Sequence, residues 1–157
     1  MLRIFKTLLA GFCFLAVAAL PLSAGEEQGP LSPLAVLKAD GTRIELQVET
    51  ATDDASRAEG LMFRTHMAPD HGMLFIFEEP VRAQFWMRNT LIPLDMLFIR
   101  TDGRVANIIA NAEPQTDDPR PSKGRVIGVL ELAGGRAAEL GIKPGDRILH
   151  GLLAAGE

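Results

Sequence analysis

The sequence predicts a single all-β domain, mainly strand with two short helices, folded as a compact β-barrel or a sandwich. Three observations favour this class. The apolar stretches are short and separated by turn residues, no regular strand–helix–strand alternation runs along the chain, and no internal repeat is present. The 157 residues suffice for one domain with a proper core and are too few for two comfortable ones.

The first 24 residues predict a secretory signal peptide. Arg3 and Lys6 precede an uncharged apolar run over residues 7–20, and Pro21–Ala24 offers a small-residue cleavage site. The run is shorter than the roughly 20 residues that span a bilayer, so a retained anchor is the less favoured alternative. We therefore expect a periplasmic or secreted protein, whose mature chain starts with a disordered leader over residues 25–33.

Composition restricts the chemistry of the mature chain. Cys13, the only cysteine, lies in the apolar run, so its loss would exclude disulfides, thiolate metal sites and cysteine nucleophiles. Loss of Arg3 and Lys6 would make the chain more acidic than the full sequence, whose net charge is −4. With no basic run, we expect neither nucleic acid nor, after cleavage, a membrane as partner. A small polar ligand or an envelope protein remains as the expected partner.

The predicted domain covers residues 34–150 and begins with a β-hairpin. Residues 34–37 and 43–49 flank an Asp40-Gly41 turn, and the second strand alternates apolar with polar residues. The positions of that strand expected to point inward are Ile44, Leu46 and Val48.

A short helix is expected after the hairpin. Thr52 is placed as its N-cap, followed by two acidic residues, and good helix formers continue to about Leu61. Arg57 lies on the same helix face as Leu61, and Arg64 follows just past the helix end. Two guanidinium groups could therefore lie over one edge of the sheet, although each could equally be a solvated surface charge.

The remaining pattern predicts six more strands and one more helix. The strands are expected at residues 73–77, 81–87, 94–100, 104–111, 125–132 and 147–149. A loop rich in Pro and Asp is expected over residues 113–124, a short helix up to residue 140, and a flexible tail over residues 151–157.

The stretch Phe85–Ile99 concentrates unusual residues. It holds the only Trp of the chain, Trp86, the polar segment Arg88–Thr90, and Asp95 inside an apolar run. An ionised Asp there would cost several kcal/mol unless it is paired or hydrogen-bonded. Glu131 holds the same kind of position in another apolar strand. We expect both carboxylates to point inward at a small polar pocket, or else to be structural anchors.

These residues define the candidate site. The candidate ligand-binding residues are Arg57, Arg64, Trp86, Asn89, Thr90, Asp95 and Glu131. No catalytic residue is assigned, but Asp95 and Glu131 are the candidates for acid and base.

No metal site and no cofactor are expected. His66 and His71 bracket a loop containing Asp70, but their spacing matches no common ligand pair. No serine has the sequence context of a nucleophile elbow. The methionines are scattered, as is typical of core filling rather than of soft-metal capture.

With these residues in view, the chain from about residue 34 to residue 150 resembles a bacterial and archaeal family catalogued as Domain of Unknown Function 192. The resemblance depends on four segments, RAEGLMFR at 57–64, GMLFIF at 72–77, FWMRNTLIPLDMLFI at 85–99 and VLELAG at 129–134. It implies an exported protein with a compact β-barrel or jelly-roll-like fold, and it implies no activity. His66 and His71 lie outside the family signature, and Arg120-Pro121-Ser122 departs from it.

Three functional hypotheses remain open. The preferred one is an exported binding or accessory module of the cell envelope, with a small polar pocket near Trp86–Asp95 for a saccharide-like or other polar ligand. The alternative is a glycosidase-like hydrolase in which the carboxyl groups of Asp95 and Glu131 lie about 5–9 Å apart. In the third, the signature is structural and the function lies on another surface.

Overall fold

The computed structural model describes residues 29–153. The predicted signal peptide, the first residues of the predicted leader and residues 154–157 lie outside this range. The strands of the described part are β1 (Ser32–Leu37), β2 (Arg43–Ala51), β3 (His71–Val81), β4 (Gln84–Phe85), β5 (Leu94–Ile99), β6 (Val105–Ala112), β7 (Arg120–Pro121), β8 (Val126–Ala133) and β9 (Arg147–Leu149). Its helices are α1 (Asp54–Glu59) and α2 (Arg136–Glu139).

Seven strands form one sheet in the order β6-β5-β8-β3-β2-β1-β9. Strands β2 and β3 pair in parallel, and the other neighbours pair antiparallel. The two edges of the sheet meet at an antiparallel bridge between Arg104 and Arg147, where Val105 N–H donates to the Asp146 carbonyl over 2.9 Å. The sheet therefore curls towards a barrel, and the predicted class, a compact mostly-β domain with two short helices, is confirmed.

Both faces of the sheet are buried, which explains the nearly continuous apolar runs in its central strands. Successive residues of a strand point to opposite faces. One face carries Leu97 and Leu130 in the core cluster inside the curl. The other face carries Phe98 and Val129 in a second cluster, which α1 and the β4 segment cover. All six residues of β5 are buried.

The β4 segment is shorter than predicted. The expected strand over residues 81–87 is reduced to a two-residue ladder between β4 and β7, in which Gln84 pairs with Pro121 and Phe85 with Arg120. Arg120, only 8% exposed, donates hydrogen bonds to the Asp118 carbonyl and to the Thr116 hydroxyl. Hydrogen bonds from Arg120 therefore stabilise the predicted loop over residues 113–124 from within.

Several predicted boundaries differ from the structure, among them those of β3, which covers His71–Val81 rather than residues 73–77. The N-cap of α1 is Asp53 rather than Thr52, because the Asp53 carboxylate accepts from Ser56 N–H while the Ser56 hydroxyl accepts from Asp53 N–H. Strand β1 begins at Ser32, inside the predicted leader. Leu153 is buried in the core, inside the predicted tail. No helix within residues 29–153 is both long and apolar enough to cross a bilayer.

Candidate functional site

A cavity of about 210 Å³ lies between α1, β3 and the β4 segment. Its walls come from residues 57–62 of α1 and the following turn, from Phe75 and Phe77 of β3, and from residues 84–86. Arg88, Thr90 and Glu131 complete the lining. Pockets for drug-sized ligands measure roughly 300–1,000 Å³. This cavity therefore suits a small molecule, or one group of a larger molecule.

Glu131 is the polar group in the inner wall of the cavity. The register of β8 places it opposite Met73 of β3 and Met96 of β5, and the residue is only 4% exposed. Within residues 29–153 its carboxyl group has no hydrogen-bond or ion-pair partner. Among the described residues, every side-chain oxygen that is inaccessible to solvent has a hydrogen-bond partner. Because the Glu131 carboxyl oxygens have no partner, they must be accessible from the cavity.

Burial raises the pKa of Glu131 to about 8. The cause is the loss of water around the charged form, which no hydrogen bond or nearby charge offsets. The side chain is therefore mostly protonated at neutral pH, and it then has one O–H donor and one carbonyl acceptor. A buried polar group without a partner costs free energy on the order of 1–3 kcal/mol, so Glu131 is the feature of this face that packing does not explain.

Phenylalanine rings line the inner wall of the cavity and pack against one another. The rings of Phe75 and Phe85 meet edge to face with centroids 5.1 Å apart, and Phe85 meets Phe98 in the same way at 6.1 Å. Phe75 and Phe77 follow Met73 at two-residue steps on β3, so they share the face of Glu131. The wall combines one carboxyl group with an aromatic, apolar surface.

Arg57 is fixed in the outer wall. Its guanidinium donates to the Thr52 carbonyl over 2.6 Å and to the Ile76 carbonyl over 2.9 Å, and it forms an ion pair with Asp54 at 2.6 Å. Its Cζ lies 6.0 Å from the centroid of the Phe77 ring. Arg57 thereby holds α1 against β3.

Trp86 and Arg88 form the mouth of the cavity. Trp86 is 51% exposed, and the Arg88 Cζ lies 5.0 Å from its ring centroid. The Arg88 guanidinium also pairs with Asp117 over 2.9 Å and so holds the pKa of that carboxyl below its usual range. Thr90 lies beside them, and its hydroxyl donates to the Arg88 carbonyl over 3.4 Å.

Asp95 does not line the cavity, contrary to expectation. It is fully buried, and its carboxylate accepts hydrogen bonds from the backbone N–H groups of Asn111 (2.8 Å), Gly135 (3.0 Å) and Ala137 (2.8 Å). It thereby ties β5 to β6 and to the start of α2. The residue after it, Met96, is the one that pairs with Glu131.

The two carboxyl groups therefore point to opposite faces of the sheet, because successive strand residues alternate. The expectation that they share one inward face is wrong. With one group on each side of the sheet, Asp95 and Glu131 cannot flank the same substrate bond as acid and base.

Arg64 and Asn89 also lie outside the cavity. Arg64 pairs with the buried carboxylate of Glu49 over 2.8 Å, beside a separate surface depression. Asn89 has a left-handed backbone (φ 57°), and its carbonyl accepts from Phe63 N–H over 2.8 Å. It joins the turn after α1 to the segment after β4. Of the predicted ligand-binding residues, the structure brings together Arg57, Trp86, Thr90 and Glu131.

Sequence reasoning missed the rings that make the wall. Phe75, Phe77 and Phe85 stand in apolar stretches predicted as strands, where they do not differ from core residues, and all three line the cavity. No signal in the sequence separates a ring that faces a cavity from one that faces packed side chains. Within residues 29–153, no group of three or more His, Cys, Asp or Glu side chains is placed to hold a metal ion.

The chain is similar to one protein family and to several solved structures. Residues 35–150 match the model of the family DUF192, described as “Uncharacterized ACR”. A crystal structure from Sinorhizobium meliloti 1021, described as a proposed transcription regulator, is 44% identical with a TM-score of 0.76, covering 80% of this chain and 97% of that one. A protein of unknown function from Novosphingobium aromaticivorans DSM 12444 is 43% identical with a TM-score of 0.76, covering 90% and 100%. No curated protein matches.

Proposed function

The chain belongs to the DUF192 family, and from its cavity we propose that it is a binding or accessory module of the cell envelope for a small polar ligand. The observation that carries the proposal is Glu131. A carboxyl group that is 4% exposed, lines a cavity and lacks a partner in the described chain is costly for the fold alone. A ligand that hydrogen-bonds to it removes that cost.

The lining supports a ligand with a polar end and a flat or apolar body. The polar end would meet Glu131, and the body would pack against Phe75 and Phe85. Trp86 at the mouth offers an exposed ring for stacking. A saccharide-like molecule or another small polar molecule meets these requirements, either as a whole or through one of its groups.

The name of the Sinorhizobium meliloti relative describes a proposed transcription regulator, but we propose no nucleic-acid partner for this chain. Its net charge is −4, whereas binding to nucleic acid depends largely on basic side chains that displace counterions from phosphates. The cavity arginines are also already paired, Arg57 with Asp54 and Arg88 with Asp117.

Export is part of the proposal and has its own test. The first 24 residues have the charge and hydropathy pattern of a signal peptide. We expect the protein recovered from the cell envelope or the medium of an expressing bacterium to begin near Gly25. Mass spectrometry of the intact protein measures this, and a chain that starts at Met1 would refute cleavage.

Binding is tested by blocking the cavity. Ala58 and Ala55 are both exposed on α1, but only Ala58 lines the cavity. Ala58→Phe therefore fills the site, and Ala55→Phe is the matched control. The probes are glucose and N-acetylglucosamine, and the readout is the fluorescence of Trp86, the only Trp in the chain.

We expect a saturable change in fluorescence with at least one probe in the wild type and in Ala55→Phe. In Ala58→Phe, the affinity should fall by about ten-fold or more, which corresponds to roughly 1.4 kcal/mol. An equal response in all three proteins would place binding elsewhere and would overturn the assignment of the site.

A further inference from the structure

We propose, on the basis of the binding function above, that Glu131 recognises an uncharged planar carboxamide or lactam group of the ligand, packed beside the phenylalanine rings that line the cavity. This assigns a chemical class to the ligand end that lies deepest in the site. Charged groups of the ligand would remain at the mouth.

The hydrogen-bonding capacity of Glu131 supports this choice. A protonated carboxyl group presents one O–H donor and one carbonyl acceptor on the same edge. A primary carboxamide or a lactam presents the complementary edge, one carbonyl and one N–H, so two parallel hydrogen bonds form at once. A hydroxyl group matches only one of these two positions. Burial, which raises the pKa of Glu131 to about 8, keeps the required proton in place at neutral pH.

Aromatic rings line the same cavity as Glu131. Phe75 and Phe85, an edge-to-face pair with an interplanar angle of 89°, both belong to this lining. Leu61 and Met62 approach from the turn after α1. With about 210 Å³ in all, the cavity has room for one small group such as a carboxamide, whose plane can pack against an aromatic ring.

Charged groups around the cavity disfavour a cation at its base. The strand neighbours of Glu131 on β3 and β5 are Met73 and Met96, which carry no charge. The charged residues of the lining are Arg57 and Glu59 of α1 and Arg88 at the mouth.

The two guanidiniums lie over the rings of Phe77 and Trp86. Each already covers one face of a ring with which an ammonium ligand would form a cation–π contact. Neither holds the Glu131 carboxyl ionised, since burial alone accounts for its shifted pKa. An ammonium group would therefore pass two cations to reach a neutral acid, whereas an anion would meet two guanidiniums that already pair with Asp54 and Asp117.

Three probes with one ring and different end groups test the inference: benzamide, benzylamine and benzoate. Their affinities for the full-length wild type are measured by the fluorescence of Trp86 at pH 7. We expect benzamide to bind at least about ten-fold more tightly than either charged probe. A tighter affinity for benzylamine or for benzoate would overturn the inference.

Two variants and a pH series identify the group responsible. Glu131→Gln keeps one donor and one acceptor and should bind benzamide within about three-fold of the wild type, whereas Glu131→Leu should lose about ten-fold or more. Above pH 8 the wild-type affinity for benzamide should fall by up to about ten-fold per pH unit as Glu131 ionises. The Glu131→Gln affinity should stay constant. Equal pH profiles, or equal binding by Glu131→Leu, would overturn the inference.

The inference can fail without the binding function failing. If none of the three probes binds at millimolar concentration while glucose or N-acetylglucosamine still binds and loses affinity in Ala58→Phe, the carboxamide assignment is wrong and the site stands. If every probe responds equally in Ala58→Phe and in the wild type, the cavity is not the site and both proposals fail.

Discussion

At the scale of single residues, one carboxyl group sets the chemistry of the site. Glu131 has the burial of a core residue but neither the apolar side chain nor the hydrogen bonds of one. Asp95 shows the contrast, since it is equally buried and each of its oxygens accepts from backbone N–H groups. The unpartnered carboxyl group of Glu131 lowers stability and is available to bind a ligand. The hydrogen-bonded carboxylate of Asp95 raises stability and is not available.

The raised pKa of Glu131 predicts how stability depends on pH. In the unfolded chain the group titrates near its ordinary value of 4.5, and in the folded chain near 8. Between these values the folded state binds more protons, so wild-type stability falls as pH rises. Glu131→Gln has no such group, so it should become more stable than the wild type, by a few kcal/mol at pH 8 and by little at pH 4.

Urea unfolding of both proteins at pH values from 4 to 9 measures this difference. Parallel curves over the whole range would show that Glu131 is not buried in its neutral form. A wild type that gains stability relative to Glu131→Gln as pH rises would show that its carboxylate has a cationic partner.

Asp95→Asn should destabilise the fold by about 3 kcal/mol. The amide keeps one acceptor oxygen and turns an N–H₂ group towards one of the three backbone N–H donors that Asp95 now accepts from. Asp70→Asn, at an exposed position, is the control and should change stability by less than about 0.5 kcal/mol. Denaturant unfolding measures both, and an unchanged stability of Asp95→Asn would contradict the anchoring role.

At the scale of elements, the close approach of β3 and β8 determines the direction in which the Glu131 side chain points. Gly72 of β3 lies against β8, and a Cβ there would meet the Glu131 carbonyl oxygen at 2.6 Å and Leu132 Cδ2 at 2.8 Å. Gly128 of β8 is equally close to β3, with the Phe75 carbonyl oxygen at 2.6 Å from such a Cβ. Glycine at these positions allows the register that turns Glu131 into the cavity.

Gly72→Ala should therefore cost roughly 2–4 kcal/mol of stability, because backbone atoms cannot move aside without separating the strands. Gly151→Ala is the matched control, since a Cβ at that position meets nothing within 4 Å. Thermal unfolding of the two variants measures the difference. Equal melting temperatures would contradict the close approach of β3 and β8.

The turn after α1 has an unusual backbone at the edge of the site. Phe63 has a left-handed conformation (φ 63°) and is 64% exposed. Such a conformation costs a bulky residue roughly 1–2 kcal/mol, and Asn tolerates it better. Phe63→Asn should therefore raise the free energy of unfolding by about 1 kcal/mol. Leu91→Asn, exposed and without a positive φ, is the control, and an equal or larger gain there would contradict the explanation.

At the scale of the whole molecule, local sequence patterns predicted the strands and helices, whereas pairing between distant strands determined which residues line the site. The hairpin of β1 and β2 and that of β5 and β6 can be inferred from turn residues and alternation within about 20 residues of sequence. The sheet order could not be predicted this way, because β8 pairs with β3 and β5, both far from it in sequence. Pairing between strands that are far apart in the chain leaves no pattern in the sequence of either strand.

The two carboxylates show how non-local pairing shapes the site. Asp95 and Glu131 occupy similar apolar strands, and the sequence alone gives them the same status. Their roles differ because Met96 pairs with Glu131, so Asp95 lies on the other face of the sheet. There its carboxylate accepts hydrogen bonds from three backbone N–H groups. The rings of Phe75, Phe77 and Phe85 became part of a cavity only when α1 was placed over them. Trp86 and Thr90 could be predicted because their polar or exposed character departs from that of the core.

The cavity is proposed to receive a ligand group that hydrogen-bonds to Glu131. The most direct measurement is a crystal structure of the protein soaked with benzamide. We expect density for the ring beside Phe75 and Phe85, with the carboxamide within hydrogen-bond distance of the Glu131 carboxyl group. A cavity without benzamide, in which the Glu131 carboxyl is bonded to another side chain of the protein, would contradict the claim.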